Sequence, residues 1–197
     1  MNPLSAGPPG LMADARFREG FSRLAPLNLT FDAWLFHPQL GELTDLARTF
    51  PETTIVLDHV GGVLGIGAYA DKRDEVFAHW SSSIRTLASC PNVFVKVGGL
   101  GMRINGFGFE RASDPPSSET LATTWRPYIE TCIELFGPRR CMFESNFPVD
   151  KGSYGYGEGW NAFKLLTRNA SSDERTALFS GTVVRVYRLQ DLGLPEA

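Results

Sequence analysis

Four short apolar runs, each followed by a stretch with helical spacing, limit what this chain can fold into. The runs are Leu29 to Phe36, Thr54 to Leu57, Val93 to Val97 and Cys141 to Phe143. Their β-branched and aromatic content is that expected of strands buried on both faces of a parallel sheet. Before and between them, apolar residues recur with a 3.6-residue period. Phe17, Phe21 and Leu24 form one such set, and Leu40, Leu43, Leu46, Ala47 and Phe50 a second. Val76, Phe77, Trp80, Ile84, Leu87 and Ala88 share a third face, and Tyr128, Ile129, Cys132, Ile133 and Phe136 a fourth. Pro127 suits the first turn of that last helix and Gly137-Pro138 its end. Ser171 and Glu174 fit a capping box before a closing helix with Leu178 and Phe179. Alternation of strand and helix predicts an α/β fold with right-handed crossovers. Residues 1–10 read as a disordered lead and 11–197 as one domain.

Each predicted strand runs into polar residues. The first reaches His37, the second Asp58-His59, the third contains Lys96 before Gly98-Gly99, and the fourth enters Glu144-Ser145-Asn146. In parallel α/β folds the loops at the carboxyl ends of the strands converge on one crevice, so four polar endings predict a site there.

His59 is a candidate for proton transfer or metal ligation, since imidazole does both near neutral pH. The plainer alternative is a strand-end histidine bonded to a neighbouring loop. His37, before Pro38, is balanced between binding substrate and packing, and His79 beside Trp80 reads as structural. Lys96 interrupts FVKV, where an unpaired buried charge would cost several kcal/mol, so it must face a carboxylate, a cavity or a substrate. Arg103 could bind an anionic substrate. Glu144 and Asn146 point the same way if the strand stays extended, with Glu144 the candidate base. Asp58 could orient its neighbour.

Basic residues number 19 and acidic ones 22, a balance that gives no case for nucleic acid or an anionic membrane as partner. No apolar run reaches the roughly 20 residues of a membrane span. The opening MNPLSAGPPGLM does not read as a secretory signal, and Cys90, Cys132 and Cys141 are too few for a disulfide framework, so a cytoplasmic enzyme is expected. The glycines of VGGVLGIGAYA fit neither a dinucleotide fingerprint nor a phosphate loop, and no G-x-S-x-G elbow occurs.

The segments TIVLDHVGG, NVFVKVGGLGM, WRPYIETCIELFG, RRCMFESNFPVDK and LFSGTVVRVYRL, in this order, resemble the amidohydrolase-related family of barrel hydrolases. The branch they are most similar to contains sugar lactonases and 2-pyrone-4,6-dicarboxylate hydrolase. The resemblance runs from about Asp14 to Leu189 and implies the carboxyl-terminal part of a (β/α)8 barrel, its four strands matching the fifth to the eighth. It therefore also implies a truncated gene or a misassigned start. His59 would match the strand-six histidine, and the full-length parent could hold one divalent metal, zinc or manganese, with His59 as a ligand. No His-x-His pair, the family's first-strand ligand set, occurs in this chain.

Where the lactonase branch has Ser-Asp-Trp/Phe-Pro, this chain has Ser145-Asn146-Phe147-Pro148. An amide cannot take a proton, which leaves Glu144, or Asp150 reaching back from the loop, to activate water. The expected reaction is hydrolysis of a lactone or a related C–O or C–N bond, with His59, Glu144 and Asn146 catalytic. His37, Lys96, Arg103 and Asp150 would bind the small-molecule substrate. Two unpaired sheet edges would favour a homodimer. The rival expectations are a non-catalytic half barrel that needs a partner and an open α/β domain that binds a small molecule without turnover.

Overall fold

The computed structural model describes residues 7–192. Four strands, β1 (Phe31–Ala33), β2 (Ile55–Leu57), β3 (Val93–Val97) and β4 (Cys141–Phe143), form one sheet in the order β1-β2-β3-β4, and every pair is parallel. Ile55 pairs with both Phe31 and Val93, and Val95 with Cys141, so the strands stay in step along the sheet. The last two strands have the expected bounds. The first is shorter than Leu29 to Phe36 because only Phe31–Ala33 finds a ladder partner.

The helices are α1 (Ala15–Phe21), α2 (Leu40–Thr49), α3 (His59–Gly62, a single turn), α4 (Arg73–Ala88), α5 (Ser118–Phe136), α6 (Tyr156–Leu166), α7 (Ser172–Thr176) and α8 (Thr182–Val186). A π-helical stretch, Ala177–Gly181, joins α7 to α8 and carries Leu178 and Phe179. The Ser171 and Glu174 capping box is present at α7.

One correction concerns α5, which starts at Ser118 and not at Pro127. The Ser117 side chain caps it by accepting the Thr120 amide, and Pro127 lies inside the helix. Leu121, Ala122 and Trp125 are buried at helical spacing ahead of the proline. Burying a Trp and a Leu offsets the roughly 3 kcal/mol an interior proline costs.

Alternate strand residues separate two layers. Ile55, Leu57, Val93, Val95, Val97, Cys141 and Phe143 join Leu43, Leu46, Trp80, Ile84, Trp125 and Ile129 in the main core. The opposite sheet face carries Val56, Phe94 and Met142, covered by Val183, Val186 and Tyr187 at the end of the chain. Arg188 closes the crossing by bonding the Asn28 carbonyl and side chain.

Of the expected disordered lead, residues 1–6 lie outside the described residues. Gly7 and Gly10 are tied to Gln39 and Glu42, so the chain is anchored before residue 11. No described helix is long and apolar enough to cross a membrane.

Candidate active site

β2 delivers Asp58 and then a turn in which four successive residues are left-handed: His59 (φ 53°), Val60 (φ 48°), Gly61 (φ 80°) and Gly62 (φ 55°). A non-glycine residue pays about 1–2 kcal/mol for that conformation, and a β-branched one adopts it rarely. Two long-range bonds hold the turn. Trp80 Nε1 donates to the Val60 carbonyl at 2.8 Å, and the His59 amide donates to Glu144 Oε1 at 3.1 Å.

The turn carries the His59 ring to the end of β4, where Nδ1 lies 2.5 Å from Glu144 Oε1. Gly98 and Gly99 make that meeting possible. A Cβ on Gly99 would come within 2.6 Å of His59 Nδ1, and one on Gly98 within 2.3 Å of the Glu144 carbonyl oxygen. The pair is mostly buried, and the Trp34 ring stands edge-on to His59 at 4.8 Å. Burial works against protonation of His59. The Glu144 hydrogen bond and the charges of Glu144, Asp58 and Asp150 outweigh it and raise its pKa above the ordinary value. Nε2 makes no hydrogen bond among the described residues.

Asp150 is fully buried behind the pair. Its Oδ2 accepts the Gly101 amide at 3.0 Å and the Tyr154 hydroxyl at 2.9 Å, and its Oδ1 accepts Asn146 Nδ2 at 2.8 Å. Burial pushes its pKa up to about 6, against the pull of those hydrogen bonds. Asn146 departs from the parity expectation. The strand ends at Phe143 and Asn146 is left-handed (φ 51°), so its amide turns to Asp150 and does not line up with Glu144.

Lys96 faces carboxylates, one of its expected options. Its Nζ lies 2.7 Å from Asp32 Oδ2 and 2.9 Å from Asp58 Oδ1. Burial opposes its charge, but the hydrogen bonds to the two aspartates prevail and raise its pKa. The Tyr187 hydroxyl also donates to Asp32, at 2.8 Å. Two acids thus already hold the ammonium.

Arg103 does not join the cluster. Its side chain is 80% exposed and its nearest acid, Glu110, is 3.9 Å away. His37 is not brought there either: it is buried, accepts the Leu64 amide on Nδ1 and packs edge-on against Tyr69. His79 is exposed, with its ring 6.0 Å from that of His37.

Asp32, Trp34, Tyr154 and Tyr187 are additions to the sequence reading. Asp32 and Trp34 stood inside a run read for its apolarity, and Tyr154 and Tyr187 lie outside the strand ends that were singled out. The spacing of Tyr154 four residues after Asp150 was the available signal.

These residues do not by themselves fit a divalent metal. Among the described residues no three His, Cys, Asp or Glu side chains converge on one point. The carboxylates of Asp32 and Asp58 converge on the Lys96 ammonium, and the one imidazole of the cluster has Nδ1 engaged by Glu144.

Four parallel strands in chain order, with α2, α4 and α5 packed on one face and a histidine–carboxylate pair at the carboxyl ends, define an arc of a (β/α)8 barrel of the hydrolase type. The chain belongs to the amidohydrolase family, whose sequence pattern matches residues 3–189. It is 37% identical over 181 residues to the uncharacterized protein y4mH of Sinorhizobium fredii, covering 92% of this chain and 54% of that one. It is 30% identical over 179 residues to an L-fucono-1,5-lactonase of Burkholderia multivorans, covering 90% and 57% respectively. Among solved structures, a zinc-bound amidohydrolase from Burkholderia multivorans superposes with a TM-score of 0.78 at 26% identity, over 91% of this chain and 59% of that one. The chain spans about half the length of the curated relatives it matches.

Proposed function

We propose that the chain hydrolyses a lactone at a site built on His59 and Glu144. The observation that carries the reading is the 2.5 Å contact between His59 Nδ1 and Glu144 Oε1, which leaves Nε2 as the working atom of the ring. Membership of a hydrolase family and likeness to a lactonase support the reaction class.

The proton transfer follows from the geometry. Glu144 Oε1 already accepts from both the His59 amide and its ring, so Glu144 acts through His59 rather than on water directly. Neutral His59 takes a proton from water at Nε2, and Glu144 stabilises the imidazolium that forms. The water oxygen bonds to the lactone carbonyl carbon, the ring C–O bond breaks, and the proton passes from Nε2 to the leaving alkoxide. The product is an open hydroxycarboxylate. Asp150 and Asn146 position the β4–α6 loop, and Lys96 keeps Asp58 in place beside the histidine. A zinc or manganese ion would need ligands beyond this cluster, and the proton transfer does not call on one.

The test is a panel of aldonolactones that includes L-fucono-1,5-lactone, with acid release followed by a pH indicator. Turnover above spontaneous ring opening that falls with Glu144→Gln is the expected result. A panel in which no lactone opens faster than in buffer overturns the reading.

A further inference from the structure

His37 is only 2% exposed, yet half of its hydrogen-bonding capacity is unused. Nδ1 accepts the Leu64 amide at 3.2 Å, and burial together with neighbouring His79 lowers the pKa to about 4. The ring is therefore neutral, with its proton on Nε2. That atom has no hydrogen-bond partner among the described residues and is not sealed from solvent. His37 lines a cavity of about 500 Å³ whose wall also includes Tyr69, Lys72, Glu75 and His79. Neither His59 nor Glu144 lines it.

The same wall holds the amino end of α4, a 16-residue helix. Its N-cap is Lys72, a side chain that cannot accept a hydrogen bond, and no side-chain cap is present. The amides of Arg73, Asp74 and Glu75 have no acceptor among the described residues. A helix amino end with open amides favours an anion.

Two independent features, His37 and the amino end of α4 at Lys72 and Glu75, thus meet at one cavity. A metal does not suit it, because an imidazole that accepts on Nδ1 and carries its proton on Nε2 has no lone pair left to ligate. The ligand must accept hydrogen bonds. Lys72 and the helix end attract negative charge, whereas Asp74 and Glu75 in the first turn oppose it, so a singly charged anion fits better than a multiply charged one. We propose that the cavity binds a small monocarboxylate, its oxygens seated on His37 Nε2–H and on the open amides of α4 beside Lys72.

The experiment is a titration of the 15N-labelled full chain with sodium acetate, with sodium chloride at matched ionic strength as control. The amides of Leu64, Asp74 and Glu75 report. Saturable shifts with acetate but not chloride are expected. His37→Asn keeps an acceptor near Leu64 but lacks the Nε2 proton, and should weaken binding by about tenfold, the value of one charge-assisted hydrogen bond. Lys72→Met, on the exposed rim, should weaken it severalfold and carries the test if His37→Asn does not fold. Shifts that do not saturate, or are the same in both salts, overturn the proposal. So does an acetate affinity that Lys72→Met leaves unchanged.

Discussion

Glu144 reaches from the end of β4 to a residue 85 positions earlier and takes two hydrogen bonds from it, the His59 amide at 3.1 Å and ring Nδ1 at 2.5 Å. One carboxylate oxygen therefore fixes both the backbone of a left-handed turn and the direction of the imidazole it carries. Backbone strain at such a point is stable only where the surroundings over-determine it, and here they do.

Replacing Glu144 with Gln should test the pairing directly. The amide is nearly isosteric but uncharged, so it cannot stabilise an imidazolium. The expected loss in kcat/KM is on the order of 10²- to 10⁴-fold, as for a general base stripped of its partner. Circular dichroism should stay unchanged, and the His59 pKa should fall. Steady-state kinetics with a histidine NMR titration checks both, and unchanged kcat/KM in a folded variant would count against the pair.

The pH dependence has a definite sign. The folded-state pKa of His59 lies above its ordinary 6.5, and catalysis needs the neutral ring. Activity should rise with pH through that raised pKa. Stability runs the other way: the contribution of the pair is fully present below the unfolded value and is lost as pH rises through the folded one. A His59 NMR midpoint below 6.5 would sink the assignment.

Asp150→Ala should destabilise the protein by about 2 kcal/mol at neutral pH, because the buried Gly101 amide, the Tyr154 hydroxyl and the Asn146 amide each lose their acceptor. Urea unfolding measures this. A change below about 0.5 kcal/mol, the scale of an ordinary surface substitution, would mean that water replaces the carboxylate.

Lys96→Met leaves Asp32 and Asp58 facing each other without a cation. Breaking a buried pair costs about 3–5 kcal/mol, and the partial exposure of Asp32 reduces the expectation to about 2 kcal/mol. Adding Asp32→Asn should restore part of the loss. Chemical denaturation of both variants decides, and a double variant less stable than the single one contradicts the arrangement.

Pro127→Ala should stabilise α5 by roughly 1 kcal/mol, since it restores an amide inside a helix at an exposed position. Differential scanning calorimetry gives the sign at once. A lower Tm would show that the proline serves the helix in another way.

How much of this was legible in the sequence varies with the kind of signal. β3 and β4 stand where their β-branched and apolar runs put them, because a strand buried on both faces has little freedom in composition. Polar strand ends pointed to one face, and Glu144, His59 and Asp150 do come together there. Side-chain direction was not legible past the last paired residue. Asn146 turned away because its backbone is left-handed, a state asparagine adopts more readily than most residues but one that strand parity does not foretell. His37 and Arg103 follow the strands as His59 does, but one is held by the Leu64 amide and the other points to solvent. Helical spacing could not reveal that α5 continues on both sides of Pro127, because the cost of the proline is local and the gain from Trp125 comes from the tertiary core.

The separation of His59 from Glu144 also governs when the site can exist during synthesis. The first three strands and the α4 crossover can pair as soon as residue 97 is made, since each contacts the strand just before it. The residues of the turn at His59–Gly62 are then already made but lack the carboxylate that anchors the turn. Only when β4 arrives does the turn acquire its second tether, so through nearly 50 further residues the Trp80 bond to the Val60 carbonyl is the one long-range bond available to hold it. An early collapse that locks this loop in a relaxed, right-handed shape would bury a correctly paired sheet around a histidine facing the wrong way, a trap that delays activity without delaying compaction.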